Sequence, residues 1–204
     1  MKSPYSNAPV ANWQSITEQL VQNHPLRTDE IVDVTLQVWN SIFTSSIGGF
    51  HIGKDIFPRP QIMGYFLQEL IALEFIKRYP GVWRGEQSAA DKDIVYVPDT
   101  SFSIEVKTSS DPNHIFGNRS YAQDVEGEGK KEKTGYYLAV NFQKFTQTAT
   151  FPRILKIRFG WLDHSDWLGQ KAATGQQARL ASQVESLKLL LLYSQGGQTQ
   201  RGLF

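Results

Sequence analysis

At 204 residues, against the usual ~100 to 200 per domain, the chain allows one substantial domain and excludes a multidomain machine. Its 40% hydrophobic, 12% aromatic and 20% charged residues exclude disorder, and the absence of cysteine excludes disulfides, thiolate nucleophiles, iron-sulfur clusters and Cys-type zinc sites. The net charge of +1 is uneven, with nine Lys/Arg against five Asp/Glu between residues 107 and 160, which suits a polyanion partner without demanding one.

Residues 1–13 hold no apolar leader segment, and no run approaches the roughly 18 apolar residues of a membrane span, so the expectation is a soluble cytoplasmic protein with no membrane partner. Asn12 is placed to cap a helix with apolar positions Trp13, Ile16, Leu20 and Val21. Thr28, Asp29 and Glu30 open a second along Ile31, Val34, Val38 and Ile42. A third starts at Pro60, repeats Ile62, Phe66, Leu70 and Leu73, and stops at Pro80-Gly81. Glu69 and Glu74 lie at opposite margins of its apolar stripe.

The period then changes to two. Segments 93–97 and 102–108 flank the turn Pro98-Asp99-Thr100-Ser101 and predict an antiparallel hairpin. Strands are expected at 136–142 and 154–162, a short helix at 118–126, a solvated loop at 124–135, and a long amphipathic helix at 176–193 ending near Gly196-Gly197. The order implies an α/β or α+β layered domain.

Alternation in the hairpin puts Ser103, Glu105 and Lys107 on one face, and Phe102, Ile104, Val106 and Thr108 on the other. A turn at 98–101 sets Glu105 opposite residue 94, within one position of Asp93. Two adjacent carboxylates favour Mg2+, with Mn2+ able to substitute, and a neighbouring lysine offsets charge on a phosphorane, so phosphodiester hydrolysis is the natural reaction. A cross-strand salt bridge is the plainer alternative. Glu-x-Lys alone carries no weight, because about 0.6 matches are expected by chance; the second match, Glu128-Gly129-Lys130, sits in the charged loop with no Asp-headed strand. Asp91 shares the face of Asp93 and competes for its role. The histidines at 24, 51, 114 and 164 lack metal-ligand spacing and suit solvated or capping roles, with Asp163-His164-Ser165-Asp166 the one local cluster.

Asp93 followed by Glu105-x-Lys107, in a helix, strand, hairpin, helix, strand order, resembles the PD-(D/E)XK nuclease superfamily. The stretches ADKDIVYVPDTSFSIEVKTSS and NHIFGNRSYAQ look like type II restriction endonucleases, most like the ScaI group. The resemblance implies a restriction-endonuclease-like αβββαβ core, a mixed central sheet flanked by helices, mapping to about 60–142 with its first strand near 81–85. It implies a single domain over 1–204, with a helical part at 1–58, the nuclease core at 59–162 and a second helical part at 163–204. Asp93 and Glu105 would be the metal ligands and Lys107 the catalytic lysine, with Glu69, in preference to Glu74, as an added helix acid. Lys92 stands where the superfamily motif has proline.

Beyond the strand, Asn113, His114, Asn118, Arg119, Ser120 and Gln123 supply side chains suited to bases and phosphates. Arg119 is the strongest candidate for base readout. Lys144, Arg153, Lys156 and Arg158 either add phosphate contacts or, for the last two, line a solvated face. The expected function is Mg2+-dependent cleavage of double-stranded DNA at a short palindrome by a homodimer, with a separate methyltransferase as cognate partner. A repair or junction-resolving nuclease and a catalytically silent DNA-binding module are the alternatives.

Overall fold

The computed structural model describes residues 2–122, 132–146, 151–170 and 176–197. The elements are α1 (Trp13–Gln22), α2 (Thr28–Ile42), β1 (Ser46–Ile47), β2 (Phe50–His51), α3 (Pro60–Arg78), β3 (Trp83–Gly85), β4 (Ile94–Tyr96), β5 (Ile104–Ser109), β6 (Phe116–Asn118), β7 (Gly135–Phe142), β8 (Ile154–Leu162), β9 (Trp167–Gly169), β10 (Gln177–Leu180), α4 (Ser182–Leu187) and β11 (Leu189–Ser194). Six of the strands form a mixed sheet in the order β11-β8-β7-β5-β4-β3. Its β5–β7 pair is parallel and its other pairs are antiparallel.

The run GYYLAVNF of β7 is buried along its whole length, as a strand covered on both faces must be. Tyr136, Leu138, Val140 and Phe142 point with Ile104 and Val106 into a core shared with the helices, including Trp39, Leu67, Ile71 and Phe75. Tyr137 and Ala139 point the other way, into a second cluster with Ile115, Tyr121, Trp167, Ala178 and Leu180. A small sheet in the order β6-β10-β9 contributes residues to that second cluster. Helix α3 approaches the sheet closely at Gly64, where a Cβ would lie 2.3 Å from the Thr108 hydroxyl oxygen. This fixes α3 on the face of β5 opposite to Glu105 and Lys107.

The three N-terminal helices and strand β8 match the expected positions, and β7 begins one residue early. The loop at 124–131 lies outside the described residues. Asn12 makes no side-chain cap, and a 3-10 turn at Val10–Asn12 leads into α1 instead. The expected short helix at 118–126 is a 3-10 turn, Arg119–Ala122, as far as the described residues extend.

The long C-terminal helix is a correction: the segment forms β10, the short α4 and then β11. Four consecutive leucines fit either period, and the outer edge of β8 decides, because its backbone groups need partners. Strand β11 supplies them, with Leu189 opposite Gly160. Glycine is required there, since a Cβ on Gly160 would lie 2.0 Å from the Lys188 carbonyl oxygen. The β1–β2 hairpin turns through Gly48 and Gly49, both at positive φ, and was not anticipated.

His24 is buried rather than solvated, and it ties the α1–α2 connection to the turn before β5. Its Nδ1 accepts the Leu26 N–H at 3.1 Å, so Nε2 carries the proton and donates to the Phe102 carbonyl at 3.0 Å. The rings of Tyr136 and Phe159 pack against it at 4.6 and 4.8 Å. Burial lowers its pKa to about 4, against an ordinary 6.5. The unfolded chain therefore takes up the proton first, and the stabilisation is full above about pH 6.5 and lost as pH falls toward 4. Urea unfolding at pH 7 and pH 5 is expected to differ by about 2 kcal/mol on this account. In His24→Gln that part of the difference disappears; an unchanged pH dependence contradicts the assignment.

Candidate active site

The β4–β5 register differs by one residue from the expected one. Ile94 faces Ile104, so Asp93 itself stands opposite Glu105. Asp93 Oδ2 accepts the Val106 N–H at 2.7 Å, extending the ladder one step beyond the strand with a side chain. Both carboxylates are buried, at 6% exposure for Asp93 and 2% for Glu105. The half-buried Lys107 places Nζ 2.7 Å from Glu105 Oε1. Three of the four residues expected to form the catalytic centre, Asp93, Glu105 and Lys107, are thus brought together.

Two tyrosines lie against them. The Tyr121 hydroxyl donates to Glu105 Oε1, and its ring centroid is 4.5 Å from Lys107 Nζ. Tyr137 faces Glu105 across the parallel β5–β7 pair. Burial first, then the charges of Glu105 and Asp93 among others, hold both phenols well above their ordinary pKa, so they are donors and not bases. Lys92 Nζ lies 5.2 Å from the Tyr137 ring and Lys133 Nζ 5.8 Å from that of Tyr121. Their ammonium groups donate to the Glu132 and Ser120 carbonyls respectively. Sequence reasoning missed Tyr121 as part of this site. Tyr121 stands out in the polar run NRSYAQ, but no spacing shows that a turn folds it under β5.

Glu69 is exposed on α3, the helix covering the opposite face of β5, and is not gathered with the acid pair. Glu74 binds Arg78 at 3.0 Å, and Arg78 reaches Glu30 and Gln37 on α2, so Glu74 belongs to a helix-helix bridge. Among the described residues no group of three or more His, Asp or Glu is set to hold a metal ion. Asp91 is also accounted for. It makes a two-pronged pair with Arg84 at 2.9 Å and accepts the Gln87 and Ser88 N–H groups. The Arg84 guanidinium holds its carboxyl well below the usual range. In the cluster at 163–166, Asp163 and Asp166 bind the buried Lys188 ammonium at 2.9 Å.

The residues expected to read DNA divide into two groups. Asn113 and His114 lie in a loop fastened from beneath: Asn141 Nδ2 donates to the Asp111 and His114 carbonyls at 2.7 and 3.1 Å. Arg158 donates to the Asn113 carbonyl and to Asn141 Oδ1, at 3.0 and 2.8 Å. Glu185 accepts the Ile115 N–H and pairs with His114 Nδ1 at 2.6 Å. Arg158 is therefore buried, at 7% exposure, and not on a solvated face. Alternation was read correctly, but that face is covered by the loop. Lys156 Nζ donates to Asn113 Oδ1 at 2.6 Å. Asn118, Arg119 and Ser120 are exposed where β6 passes into the 3-10 turn, with the Arg119 N–H bonded to the Gln176 carbonyl at 2.9 Å. Gln123 lies outside the described residues, as does Glu128-Gly129-Lys130.

Comparison with known proteins identifies the family. Residues 3–193 match the ScaI restriction endonuclease family. A curated relative, the type II restriction enzyme ScaI of Streptomyces caespitosus, is 48% identical over 198 residues, which cover 96% of this chain and 86% of that protein.

Asp91→Ala is expected to lower stability by about 1 to 3 kcal/mol at pH 7, through loss of a charge-assisted pair and two backbone bonds. Because the folded-state pKa is depressed, that contribution is present above about pH 4 and fades as pH falls through the lowered value. Denaturant melts of wild type and variant at pH 7 and pH 3 check it; a constant difference contradicts it.

Proposed function

The chain belongs to the ScaI restriction endonuclease family and is a type II restriction endonuclease; from that premise we propose that Asp93, Glu105 and Lys107 form its phosphodiester-hydrolysing centre, acting with Mg2+ on double-stranded DNA. The observation that carries this reading is Asp93 standing opposite Glu105 with Lys107 on the same face of one strand. Two hard carboxylates fit an ion that keeps several waters and takes one or two protein acids plus phosphate oxygens, and Mn2+ shares that preference. Bound there, Mg2+ would supply Lewis-acid polarisation of the scissile phosphate.

The chain's own groups divide the remaining work. Asp93 and Glu105 would hold the ion. Lys107, bonded to Glu105 Oε1, would orient the attacking water and offset the negative charge that grows on the phosphorane. Its position beside Tyr121 keeps the ammonium partly out of bulk water, and in that lower dielectric its electrostatic effect is stronger. Glu69 would join only if DNA binding draws α3 and the sheet edge together.

Asn118, Arg119 and Ser120, exposed where β6 leads into the turn that carries Tyr121, are proposed to touch DNA, with Arg119 reading a base edge; Asn113, His114 and Gln123 complete the proposed interface. Lys92 and Lys133 would contact phosphates. Two-fold symmetry suits the cutting of both strands of a palindrome, so a homodimer is the proposed active form, with a separate methyltransferase protecting host DNA. No helix among the described residues is long and apolar enough to cross a membrane; we place the enzyme in the cytoplasm, where its DNA substrate is.

Plasmid incubated with Mg2+ is expected to give discrete fragments, and none in excess EDTA. Asp93→Ala and Glu105→Ala should abolish cutting. Lys107→Ala should lower the single-turnover rate on the order of a hundredfold, while DNA affinity measured in Ca2+ stays near wild type, because its interaction strengthens only as charge develops. Near wild-type cleavage by the Lys107 variant overturns the assignment of this strand.

A further inference from the structure

Tyr121 is neither a proposed metal ligand nor a proposed DNA contact, yet it touches both members of the Glu105–Lys107 pair. Its hydroxyl donates to Glu105 Oε1, the same oxygen that accepts Lys107 Nζ at 2.7 Å. A carboxylate's terminal torsion is otherwise broad, and a buried donor on one oxygen fixes where the other points. The ring face, 4.5 Å from Lys107 Nζ, limits the ammonium to an arc around that carboxylate.

Tyr121 is itself held firmly. It is 7% exposed and meets Trp167 edge-on at 4.9 Å. Gly117 lies so close that a Cβ there would come within 2.8 Å of the ring. Its backbone is the third residue of the 3-10 turn whose first two residues are Arg119 and Ser120. One rigid turn thus carries exposed polar side chains outward and a phenol inward to the acid and lysine.

We propose that Tyr121 is a positioning residue of the cleavage site, fixing the Glu105 carboxylate and the Lys107 ammonium in the geometry that holds the metal and cuts the bond. This rests on the assignment of Glu105 and Lys107 made above. Tyr121 makes and breaks no bond in the reaction. Its removal therefore acts on rate and on metal requirement, and leaves the surface that grips DNA intact.

The test compares Tyr121→Phe, which keeps the ring and loses the hydroxyl, with Tyr5→Phe, which loses an equally buried hydroxyl bonded to Thr17. Glu105→Gln is run beside them. Three quantities are read on a cleavable duplex: the single-turnover rate in saturating Mg2+, DNA affinity in saturating Ca2+, and the Ca2+ concentration giving half-maximal DNA retention. Tyr121→Phe is expected to slow cleavage roughly 10- to 100-fold, the scale of a misplaced catalytic group. The Ca2+ requirement should rise several-fold while DNA affinity at saturation stays within about twofold. Tyr5→Phe should match wild type in all three.

A Tyr121→Phe rate within twofold of wild type, with Glu105→Gln inactive, overturns the proposal and leaves the catalytic assignment standing. So does a loss of rate matched by an equal loss of DNA affinity, which would make Tyr121 part of the binding surface or the fold. Full cleavage by Glu105→Gln overturns the catalytic assignment, and the proposal with it.

Discussion

The hydrogen bond from the Val106 N–H to Asp93 Oδ2, 2.7 Å long, sets the position of the other site groups. It closes β4 onto β5 one residue past the last backbone pair and makes Asp93 the residue facing Glu105. A slip of one position would turn Glu105 and Lys107 onto the helix-covered face and Ile104 and Val106 off it, so the hydrophobic core and the acid pair are fixed by the same register. Two buried carboxylates side by side repel, and desolvation penalises each. The Lys107 ammonium, the Tyr121 hydroxyl and the backbone N–H of Val106 offset that cost. The arrangement is one a divalent cation would relieve further.

The two faces of the central sheet divide structure from chemistry. On the helix side, apolar residues of β5 and β7 pack on α2 and α3, with Gly64 admitting α3 to within contact of Thr108. On the other side the small β6-β10-β9 sheet and its 3-10 turn cover the remainder of β7 and approach Glu105 with Tyr121. The buried network of Asn141, Arg158 and Glu185 holds the 111–115 loop against that face. Its polar groups are fixed to one another, so the loop's exposed side chains project from a rigid base. The loop and the small sheet are thus packed directly on the face of β5 that carries Glu105.

Much of this was legible in the sequence, for identifiable reasons. The first three helices show through apolar spacing, and Pro60 and Pro80-Gly81 bound α3 because proline fixes φ and lacks an N–H while glycine takes the positive φ found at Gly81. The alternation in IEVKT reveals both faces of β5. The hairpin turn fixes the register only to within one residue, since Thr100–Phe102 winds into a 3-10 turn that a strand template does not foresee. The four leucines of β11 could not be assigned by period, because the deciding partner is the distant edge of β8. Long-range contacts likewise hid the burial of Arg158, the roles of His24 and Lys188, and the placing of Tyr121: each depends on segments far apart in the chain. Asp91 and Asp93 are two apart and alike in sequence; only Arg84 on β3, which claims Asp91, separates them.

The central claim is that Asp93 and Glu105 hold one divalent cation between them. A crystal structure of the protein with duplex DNA and Mn2+, the ion located by its anomalous scattering, tests it most directly. The account predicts manganese with carboxylate oxygens of both Asp93 and Glu105 at about 2.0 to 2.3 Å. Manganese coordinated by Asp91, or by neither Asp93 nor Glu105, would contradict it.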